Sequence, residues 1–203
     1  MDILEIKDLE NLAQKRVPKM FFDYVNSGSW TETTYNENIS DFQKIKLRQR
    51  VAIDMSNRTM ATKMVNQSVS MPVAIAPTGL TGMQRADGEI LAAQAAEEFG
   101  IPFTLSTMSV CSIEAVAEKT KNPFWFQLYV MKDKKFMARL IDRAKEAKCS
   151  ALVLTLDLQI LGQRHKDVRN GLSTPPKLIP KHIYQVLTRP MWCLRMLTTK
   201  NHF

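Results

Sequence analysis

The amino-acid sequence predicts an α/β fold built on a parallel sheet, and two observations carry that prediction. Apolar, strand-like runs recur along the chain at residues 71–79, 102–109, 122–130 and 150–157. Helical patterns follow the first three runs, at residues 87–100, 112–120 and 132–149. Strands that alternate with helices form right-handed βαβ units and therefore a parallel sheet. This order fits either an open doubly wound sheet or the first half of an eight-stranded barrel.

The helical segments have clear boundaries. Gly100 ends the first pattern as a C-terminal stop, and Ser112 begins the second as an N-cap. The third pattern has an apolar stripe at helical spacing, formed by Phe136, Met137, Leu140, Ile141, Ala144 and Ala147. Before the first strand, "LENLAQKRVP" and "KMFFDYVNSG" predict two short helices separated by Pro18.

Composition argues against several classes of protein. The 203 residues are 45% hydrophobic and 24% charged, which is ordinary for a globular domain. No apolar run approaches the ~20 residues that span a bilayer, and the acidic start "MDILEIKDLE" is unlike a signal peptide. Three dispersed cysteines without a C-x-x-C pair predict free thiols in a reducing, cytoplasmic compartment. The histidines are also dispersed, and Walker A and G-x-G-x-x-G patterns are missing, so neither a metal site nor nicotinamide chemistry is predicted.

All four predicted strands turn polar at the same end. In both parallel architectures the active site collects at the carboxyl ends of the strands. The polar side chains there are Thr78, Ser106, Thr107, Gln127, Tyr129, Thr155 and Asp157. Any one of them has a simpler interpretation as a helix cap, which is commoner than a catalytic group. Agreement among four strands predicts instead a flat polar ligand at that end, because a buried amide such as Gln127 needs hydrogen-bond partners.

Six segments, in order along the chain, resemble one known family. They are "PKMFFDYVNSG", "MPVAIAPTGLTGM", "TLSTMS", "FQLYV", "LTLD" and "LGQRHKDVRNG". They are similar to the FMN-dependent L-2-hydroxy acid dehydrogenases and oxidases, which include L-lactate dehydrogenase, glycolate oxidase and mandelate dehydrogenase. The resemblance extends from the first helices to about Lys200. The stretches "TLSTMSVCSIEAVA" and "NGLSTPPKL" most resemble the bacterial L-lactate dehydrogenase branch.

This resemblance implies a fold and an activity. The fold is the N-terminal half of a TIM (β/α)8 barrel: a helical cap over 1–70, four parallel strands with their helices over 71–167, and a basic amphipathic loop over 168–203. The activity is FMN-dependent oxidation of an L-2-hydroxy acid, most closely L-lactate, to the 2-keto acid, here pyruvate. In such enzymes the protein places and polarises the cofactor.

The resemblance also implies roles for individual residues. The expected FMN contacts are Pro77, Thr78, Gly79, Ser106, Gln127 and Thr155. The expected substrate contacts are Tyr24, Tyr129 and Arg164. The expected catalytic side chains are Tyr129 and Asp157, of which Asp157 would orient a histidine, as a carboxylate does in a catalytic triad.

The rest of the family's machinery has no counterpart in this sequence. By resemblance, the barrel's second half supplies a lysine near the flavin, the catalytic histidine, an arginine for the substrate and the phosphate site. His165 lies in the "LGQRH" loop, where the family does not keep its base. We therefore predict that the isolated chain does not turn over substrate, and that its partner is the missing half or another chain. The alternative is a non-catalytic truncated product or a membrane-associated interaction module. A lysine-dependent aldolase is disfavoured, because no predicted strand ends in a lysine.

The last segment is both basic and apolar. After Asp167 the chain has no acidic residue but six cations, namely Arg169, Lys177, Lys181, Arg189, Arg195 and Lys200. Residues 177–200 mix these cations with apolar side chains, which is typical of a segment lying on an anionic membrane. The resemblance to bacterial lactate dehydrogenases implies the same, on the inner face of the cell membrane. An active-site lid, or a surface covered by the missing half, is the alternative. Nucleic acid is not predicted, because the aromatic residues are not interleaved with the charges.

Overall fold

The structure, a computed structural model, describes residues 2–160, 162–172 and 179–201. Its elements in chain order are α1 (Ile6–Arg16), α2 (Lys19–Val25), α3 (Thr33–Lys44), β1 (Thr62–Met64), β2 (Gln67–Val69), α4 (Thr81–Gln84), α5 (Gly88–Phe99), β3 (Thr104–Leu105), α6 (Ile113–Lys119), β4 (Trp125–Tyr129), α7 (Lys134–Glu146), β5 (Ala151–Thr155), α8 (His165–Asn170), α9 (Pro180–Leu187) and α10 (Pro190–Thr198).

The chain forms two compact units. The helical unit comprises Met1–Arg58 with Ile160–Leu194, and the sheet unit comprises Thr59–Gln159 with Arg195–Phe203. The divisions at Arg58 and Gln159 fall before the positions 70 and 167 expected from the sequence. Of the segment after β5, Ile160–Leu194 therefore groups with the N-terminal helices, whereas Arg195–Phe203 groups with the strands.

The sheet unit is built around three parallel strands in the order β3, β4, β5. β4 and β5 pair along their whole length, with Phe126 opposite Leu152 and Tyr129 opposite Thr155. β3 is two residues long and pairs with the start of β4. The predicted parallel sheet is thus confirmed for three strands, and within the described residues it is an open sheet, not a closed barrel.

The first of the four predicted strands is wrong as a strand. The run makes only one parallel bridge, between Ile75 and Phe103. The Ile75 N–H donates to the carbonyl of Pro102 at 2.9 Å. Pro72 and Pro77 lack the backbone N–H that a longer ladder requires. The run therefore lies beside β3 without continuing the sheet.

An antiparallel hairpin of β1 and β2 precedes the parallel strands and was not predicted. Its two turn residues, Val65 and Asn66, have φ angles of 46° and 64°. Such turns usually carry Asn-Gly or Asp-Gly, so the Val-Asn pair at this turn does not indicate a hairpin in the sequence. Gln67 links the hairpin to the parallel strands: its Oε1 accepts from Trp125 Nε1 at 2.9 Å, and its Nε2 donates to Ser150 Oγ at 2.7 Å.

One face of the sheet packs against helices and forms the main core. The predicted helices are confirmed as α5, α6 and α7. α5 ends at Gly100 with φ 75°, and Ser112 caps α6 by accepting from the Ala115 N–H at 3.1 Å. The buried side chains of this core are Ile90, Ala93, Ala96, Phe103, Leu105, Cys111, Ile113, Val116, Phe124, Phe126, Leu128, Leu140 and Ala144.

In the helical unit, α1 and α2 confirm the two predicted helices, whereas α3 was not predicted. Two helices, α9 and α10, occupy most of the described part of residues 168–203, the segment expected as a basic amphipathic loop. Pro180 and Pro190 begin these two helices. Proline is favoured at a first helical position, where the backbone N–H has no partner within the helix.

Buried polar groups hold α2, α8 and α9 together. Asn170 Nδ2 donates to Asp23 Oδ2 at 2.7 Å, and the Asn170 carbonyl lies 2.7 Å from His182 Nε2. The Met20 N–H donates to Gln185 Oε1 at 2.8 Å. All five of these residues are buried. Hydrogen bonds offset the cost of removing them from water.

α9 turns its polar side inward and its apolar side outward. His182 and Gln185 are only 4% and 9% exposed, whereas Leu187 is 71% exposed. The exposed apolar side chains of α9 and of the adjoining part of α10 are Ile183, Tyr184, Leu187, Met191 and Leu194. Among the described helices, none combines the length and the apolar character needed to cross a membrane.

Candidate functional site

A continuous hydrogen-bond network joins the carboxyl ends of the three parallel strands β3, β4 and β5. Gln127, in β4, is 1% exposed. Its Oε1 accepts from the Thr107 N–H at 3.1 Å and from Ser106 Oγ at 3.3 Å. Its Nε2 donates to Thr155 Oγ1, in β5, at 2.7 Å. The structure therefore brings together three side chains that the sequence predicted as one group: Ser106, Gln127 and Thr155.

Thr107 is a further member of this network to which no role was assigned from the sequence. Its Oγ1 donates to the Gln127 carbonyl at 2.5 Å and accepts from the Tyr129 N–H at 3.3 Å. The Thr107 hydroxyl thereby bonds two backbone groups of β4 that have no partner in β3, because β3 ends at Leu105. The sequence shows that Ser106 and Thr107 lie at a strand end. It does not show which of the two hydroxyl groups bonds the backbone of the neighbouring strand.

The turn that contains Pro77, Thr78 and Gly79 lies next to the end of β3. The Leu80 N–H donates to the Met108 carbonyl at 2.9 Å, which joins this turn to the loop after β3. Pro77 and Thr78 are exposed and Gly79 is half-buried. The turn and the network thus share the carboxyl end of the sheet, as the sequence predicted for a ligand site.

Glu89 joins α4 to the loop after β3, and its role was not predicted from the sequence. It is 1% exposed, and its Oε1 accepts from the Gly82 N–H at 2.9 Å and from the Val110 N–H at 3.0 Å. A Cβ added at Gly82 would lie 2.6 Å from Val110 Cβ, so the close approach of α4 to the loop after β3 requires glycine. The available signal was helical spacing, because Glu89 shares an inward stripe of α5 with Ala93 and Ala96.

Tyr129 and Asp157 mark the end of β4 and the loop after β5. Tyr129 is the last residue of β4 and is half-buried, opposite Thr155 in the ladder. Asp157 is exposed, two residues beyond the end of β5. Both lie at the carboxyl end of the sheet, where the sequence analysis expected them.

Tyr24 and Arg164, the other two expected substrate contacts, meet within the helical unit. The Arg164 guanidinium lies over the Tyr24 ring, 4.6 Å from its centroid, and donates to the Tyr24 carbonyl. Arg164 also donates to Ser27 Oγ at 2.8 Å and pairs with Asp167 at 3.0 Å. Burial raises the pKa of Asp167, and the Arg164 cation opposes that rise. Cation, phenol ring and carboxylate thus form one cluster.

His165, His182, Cys111 and Cys149 have surroundings that are structural. His165 begins α8 and meets the edge of Trp30, with ring centroids 6.0 Å apart. His182 bonds the Asn170 carbonyl inside the helical unit. Burial raises the pKa of Cys111 to about 12 and that of Cys149 to about 11, which disfavours the nucleophilic thiolate. His202 lies outside the described residues, and among the residues that the structure describes no group of side chains has a metal-binding arrangement.

The donors of the network fit the polar edge of a flavin ring. Thr155 Oγ1 accepts from Gln127, so the Thr155 hydroxyl proton is not used in that hydrogen bond. Gln127 Nε2 carries a second N–H beyond the one directed at Thr155. A hydroxyl donor and an amide donor side by side match the ring carbonyls and nitrogens of such a heterocycle, and both rest on a strand rather than on a loop.

Comparisons with known proteins identify the family. Residues 13–203 match the family described as FMN-dependent dehydrogenase. The chain is 44% identical to an L-lactate dehydrogenase of Acinetobacter baylyi over 192 residues, which are 95% of this chain and 50% of that protein. It is 45% identical, with the same two coverages, to an L-lactate dehydrogenase of Haemophilus influenzae.

Two solved structures extend the agreement to three dimensions. The monotopic membrane protein (S)-mandelate dehydrogenase matches with a TM-score of 0.89 and 32% identity, over 97% of this chain and 52% of that one. A soluble mutant of the membrane-associated (S)-mandelate dehydrogenase from Pseudomonas putida matches with a TM-score of 0.81 and 35% identity, over 90% and 52%. The chain spans about half the length of the relatives it matches. From the sequence match and the shared fold together, we conclude that this chain belongs to the FMN-dependent dehydrogenase family.

Proposed function

We propose that this chain provides the flavin-edge and substrate-carboxylate side of an enzyme that oxidises L-lactate to pyruvate. The observation that carries the proposal is the network of Ser106, Gln127 and Thr155 at the carboxyl ends of three adjacent strands. The identity to L-lactate dehydrogenases supports lactate as the substrate. FMN, when bound, supplies the electron acceptor for this oxidation.

In this proposal the sheet unit holds the flavin. Thr155 and Gln127 donate hydrogen bonds to the polar edge of the ring, and Ser106 and Thr107 fix the orientation of the Gln127 amide. The turn of Pro77, Thr78 and Gly79 supplies a surface against the ring. Glu89 joins α4, which follows that turn, to the loop after β3.

The proposed substrate contacts are Tyr24, Tyr129 and Arg164, with Asp157 as the partner of a catalytic histidine. An arginine and a phenol are suited to a carboxylate, because both donate hydrogen bonds and the guanidinium is always charged. By family resemblance, the histidine, a lysine and a second arginine belong to the other half of the barrel. We therefore propose that the chain alone holds part of the site and does not turn over lactate.

A titration of FMN with the purified chain tests the flavin part of this proposal. Flavin fluorescence should change on binding, and Gln127→Ala should weaken the affinity about tenfold or more, because it leaves several hydrogen-bonding groups unpaired. Gln94→Ala, a substitution of an exposed glutamine on α5, is the matched control and should leave the affinity unchanged. Equal affinities for the wild-type chain and Gln127→Ala would contradict the assignment.

A dye-reduction assay with L-lactate tests the expected lack of turnover. The chain should give no lactate-dependent reduction above the buffer control, with or without added FMN. Clear turnover would show that a base within this chain suffices and would refute the proposal.

We further propose that the outer face of α9 and the adjoining part of α10 contacts an anionic membrane. Ile183 and Leu187 are exposed on the same face, and Lys181 and Arg189 flank them. Such a pattern suits a helix lying in the interface, with its cations on lipid headgroups. Monotopic (S)-mandelate dehydrogenase, which matches over most of this chain, supports this reading. In this proposal the protein lies on the inner face of the cell membrane.

Co-sedimentation with vesicles separates the outcomes. The chain should sediment with vesicles that contain anionic lipid, and less with neutral vesicles. No sedimentation with either kind would remove the membrane proposal while leaving the flavin proposal intact.

The second candidate function is a membrane-associated interaction module without catalysis, which the outward apolar face of α9 also favours. Flavin binding distinguishes the two candidates. A chain that binds anionic vesicles but gives no FMN signal, and for which Gln127→Ala changes nothing, would fit the second candidate.

A further inference from the structure

Two short segments at the carboxyl end of the sheet are joined to each other at two points. The turn segment, residues 80–82, follows the turn proposed to face the flavin, and the loop segment, residues 108–110, follows β3. At the first point the Leu80 N–H donates directly to the Met108 carbonyl at 2.9 Å. At the second point, two residues further along, each segment presents an N–H group. Two donors cannot bond each other, so this point needs an acceptor between them.

Glu89 supplies that acceptor from α5. Its Oε1 accepts from the Gly82 N–H at 2.9 Å and from the Val110 N–H at 3.0 Å. A Cβ added at Gly82 would lie 2.6 Å from Val110 Cβ, so the two segments approach each other closely here. A buried N–H group without a partner is costly, so the segments would separate if the carboxylate were removed. Their spacing therefore depends on one side chain that belongs to neither segment.

The loop segment is bonded in turn to the network at the strand ends. Ser106 Oγ accepts from the Met108 N–H at 3.1 Å and donates to Gln127 Oε1 at 3.3 Å. Met108 thus bonds the turn segment through its carbonyl and the network through its N–H. A change in the spacing of the two segments would reach the Gln127 amide through Met108 and Ser106.

We propose that Glu89 is a positioning residue for the flavin. It sets the distance between the turn of Pro77, Thr78 and Gly79 and the network around Gln127, and it thereby sets the affinity for FMN. Glu89 is 1% exposed, so it acts through the groups that it holds and not by contact with a ligand. A binding site needs such supporting groups to keep its contacting side chains in place. The inference rests on the proposed function, for which it names a residue.

An FMN titration that compares two substitutions of Glu89 tests the inference. Glu89→Ala should weaken the affinity about tenfold or more, because two buried N–H groups lose their acceptor. Both hydrogen bonds end on Oε1, so Glu89→Gln keeps an oxygen for them and should restore the affinity to within about threefold of wild type. Glu98→Ala, at an exposed glutamate of the same helix, is the matched control and should bind FMN like wild type. Unchanged affinity in Glu89→Ala, or no recovery in Glu89→Gln, would overturn the inference.

Gly82→Ala keeps the test decisive if Glu89→Ala does not fold. This variant retains the carboxylate but inserts a methyl group against Val110, and it should also weaken FMN binding about tenfold. Leu140→Val trims the core beneath α7 and controls for a general loss of stability, so it should leave the affinity unchanged. If Leu140→Val weakens FMN binding as much as Gly82→Ala does, the inference is overturned.

Hydrogen exchange without FMN separates this inference from the proposed function. Glu89→Ala should speed exchange at the Leu80 amide about tenfold, although that amide keeps its own acceptor, and should leave the Trp125 amide, bonded to the Phe103 carbonyl, unchanged. FMN binding that responds to Gln127→Ala but not to Glu89→Ala would support the function and overturn the inference. If no form of the chain binds FMN, the function fails, while faster exchange at Leu80 would still support the positioning of the turn by Glu89.

Discussion

Helices α7 and α9 have similar apolar periodicity, but α7 buries its apolar face and α9 buries its polar face. α7 buries Leu140 and Ala144 against the sheet and directs its charged residues to solvent. α9 buries His182 and Gln185 and exposes Ile183 and Leu187. The difference shows that amphipathic spacing identifies a helix with two faces but does not determine which face is inside. The tertiary partner decides, and for α9 that partner offers polar groups.

Truncation of the buried face of α7 should have the largest effect on stability. Leu140→Ala should lower the free energy of unfolding by about 2–4 kcal/mol, because a cavity remains in the core. Leu187→Ala on the outer face of α9 should change it by less than about 0.5 kcal/mol. Urea denaturation followed by circular dichroism measures both. A comparable loss in the two variants would mean that the outer face of α9 is packed.

The second-largest expected effect is on the binding of the chain to vesicles, not on its stability. Ile183→Ser combined with Leu187→Ser should weaken binding to anionic vesicles about tenfold or more, since two apolar side chains no longer leave water. Folding should be preserved, because both side chains are exposed. Val73→Ser with Leu91→Ser, at exposed apolar positions of the sheet unit, is the control and should bind like the wild-type chain. Equal weakening in both pairs would indicate nonspecific adsorption.

The polar inner face of α9 should matter next for stability. Gln185→Ala removes the acceptor of the buried Met20 N–H and should cost about 1–3 kcal/mol. Tyr184→Ala, one residue earlier on the exposed side, should cost less than about 0.5 kcal/mol. Urea unfolding distinguishes them. If the tyrosine variant is the less stable one, the inverted orientation of α9 is contradicted.

The charged outer face of α7 should give the smallest effect. Arg143 donates two hydrogen bonds of 2.7 Å to Glu114, and this guanidinium lowers the pKa of Glu114 to about 2. Since the folded pKa is below the ordinary 4.5, the stabilisation is complete above pH 4.5 and is lost as the pH falls through about 2. Both side chains are well exposed, so Arg143→Gln should cost only about 0.5 kcal/mol at neutral pH.

The pH dependence provides the control for that prediction. The difference in unfolding free energy between the wild-type chain and Arg143→Gln should vanish near pH 2. Lys135→Gln, at an exposed position of α7, should show no such pH-dependent difference. A difference for Arg143→Gln that persists at pH 2 would assign the effect to packing of the long side chain instead.

The sheet-unit site was largely predictable because strands impose simple rules. Side chains alternate across a strand and parallel strands end together, so Gln127 and Thr155 had to share one face at one end. The same rules failed at residues 71–79, where prolines interrupt the ladder that the apolar pattern suggested. Glu89 escaped because an acidic residue near a helix start normally reads as a favourable partner of the helix dipole.

The helical unit was less predictable, because its contacts depend on the fold rather than on local pattern. Tyr24 and Arg164 were named only through the family resemblance, and their stacking required coordinates. The burial of His182 followed from the hydrogen bond to the Asn170 carbonyl, for which the sequence carries no periodic signal. The inward polar face of α9 likewise depends on hydrogen-bond partners in other helices, which the sequence pattern does not indicate.

The hydrogen bond between Trp125 and Gln67 gives the sheet unit an optical reporter. Trp125 is the one tryptophan of that unit, while Trp30 and Trp192 belong to the helical unit. An indole that is 8% exposed emits at shorter wavelength than the 60% exposed indole of Trp30. A single-tryptophan chain that keeps only Trp125 would therefore reveal whether the strands lose their order before, with or after the helices.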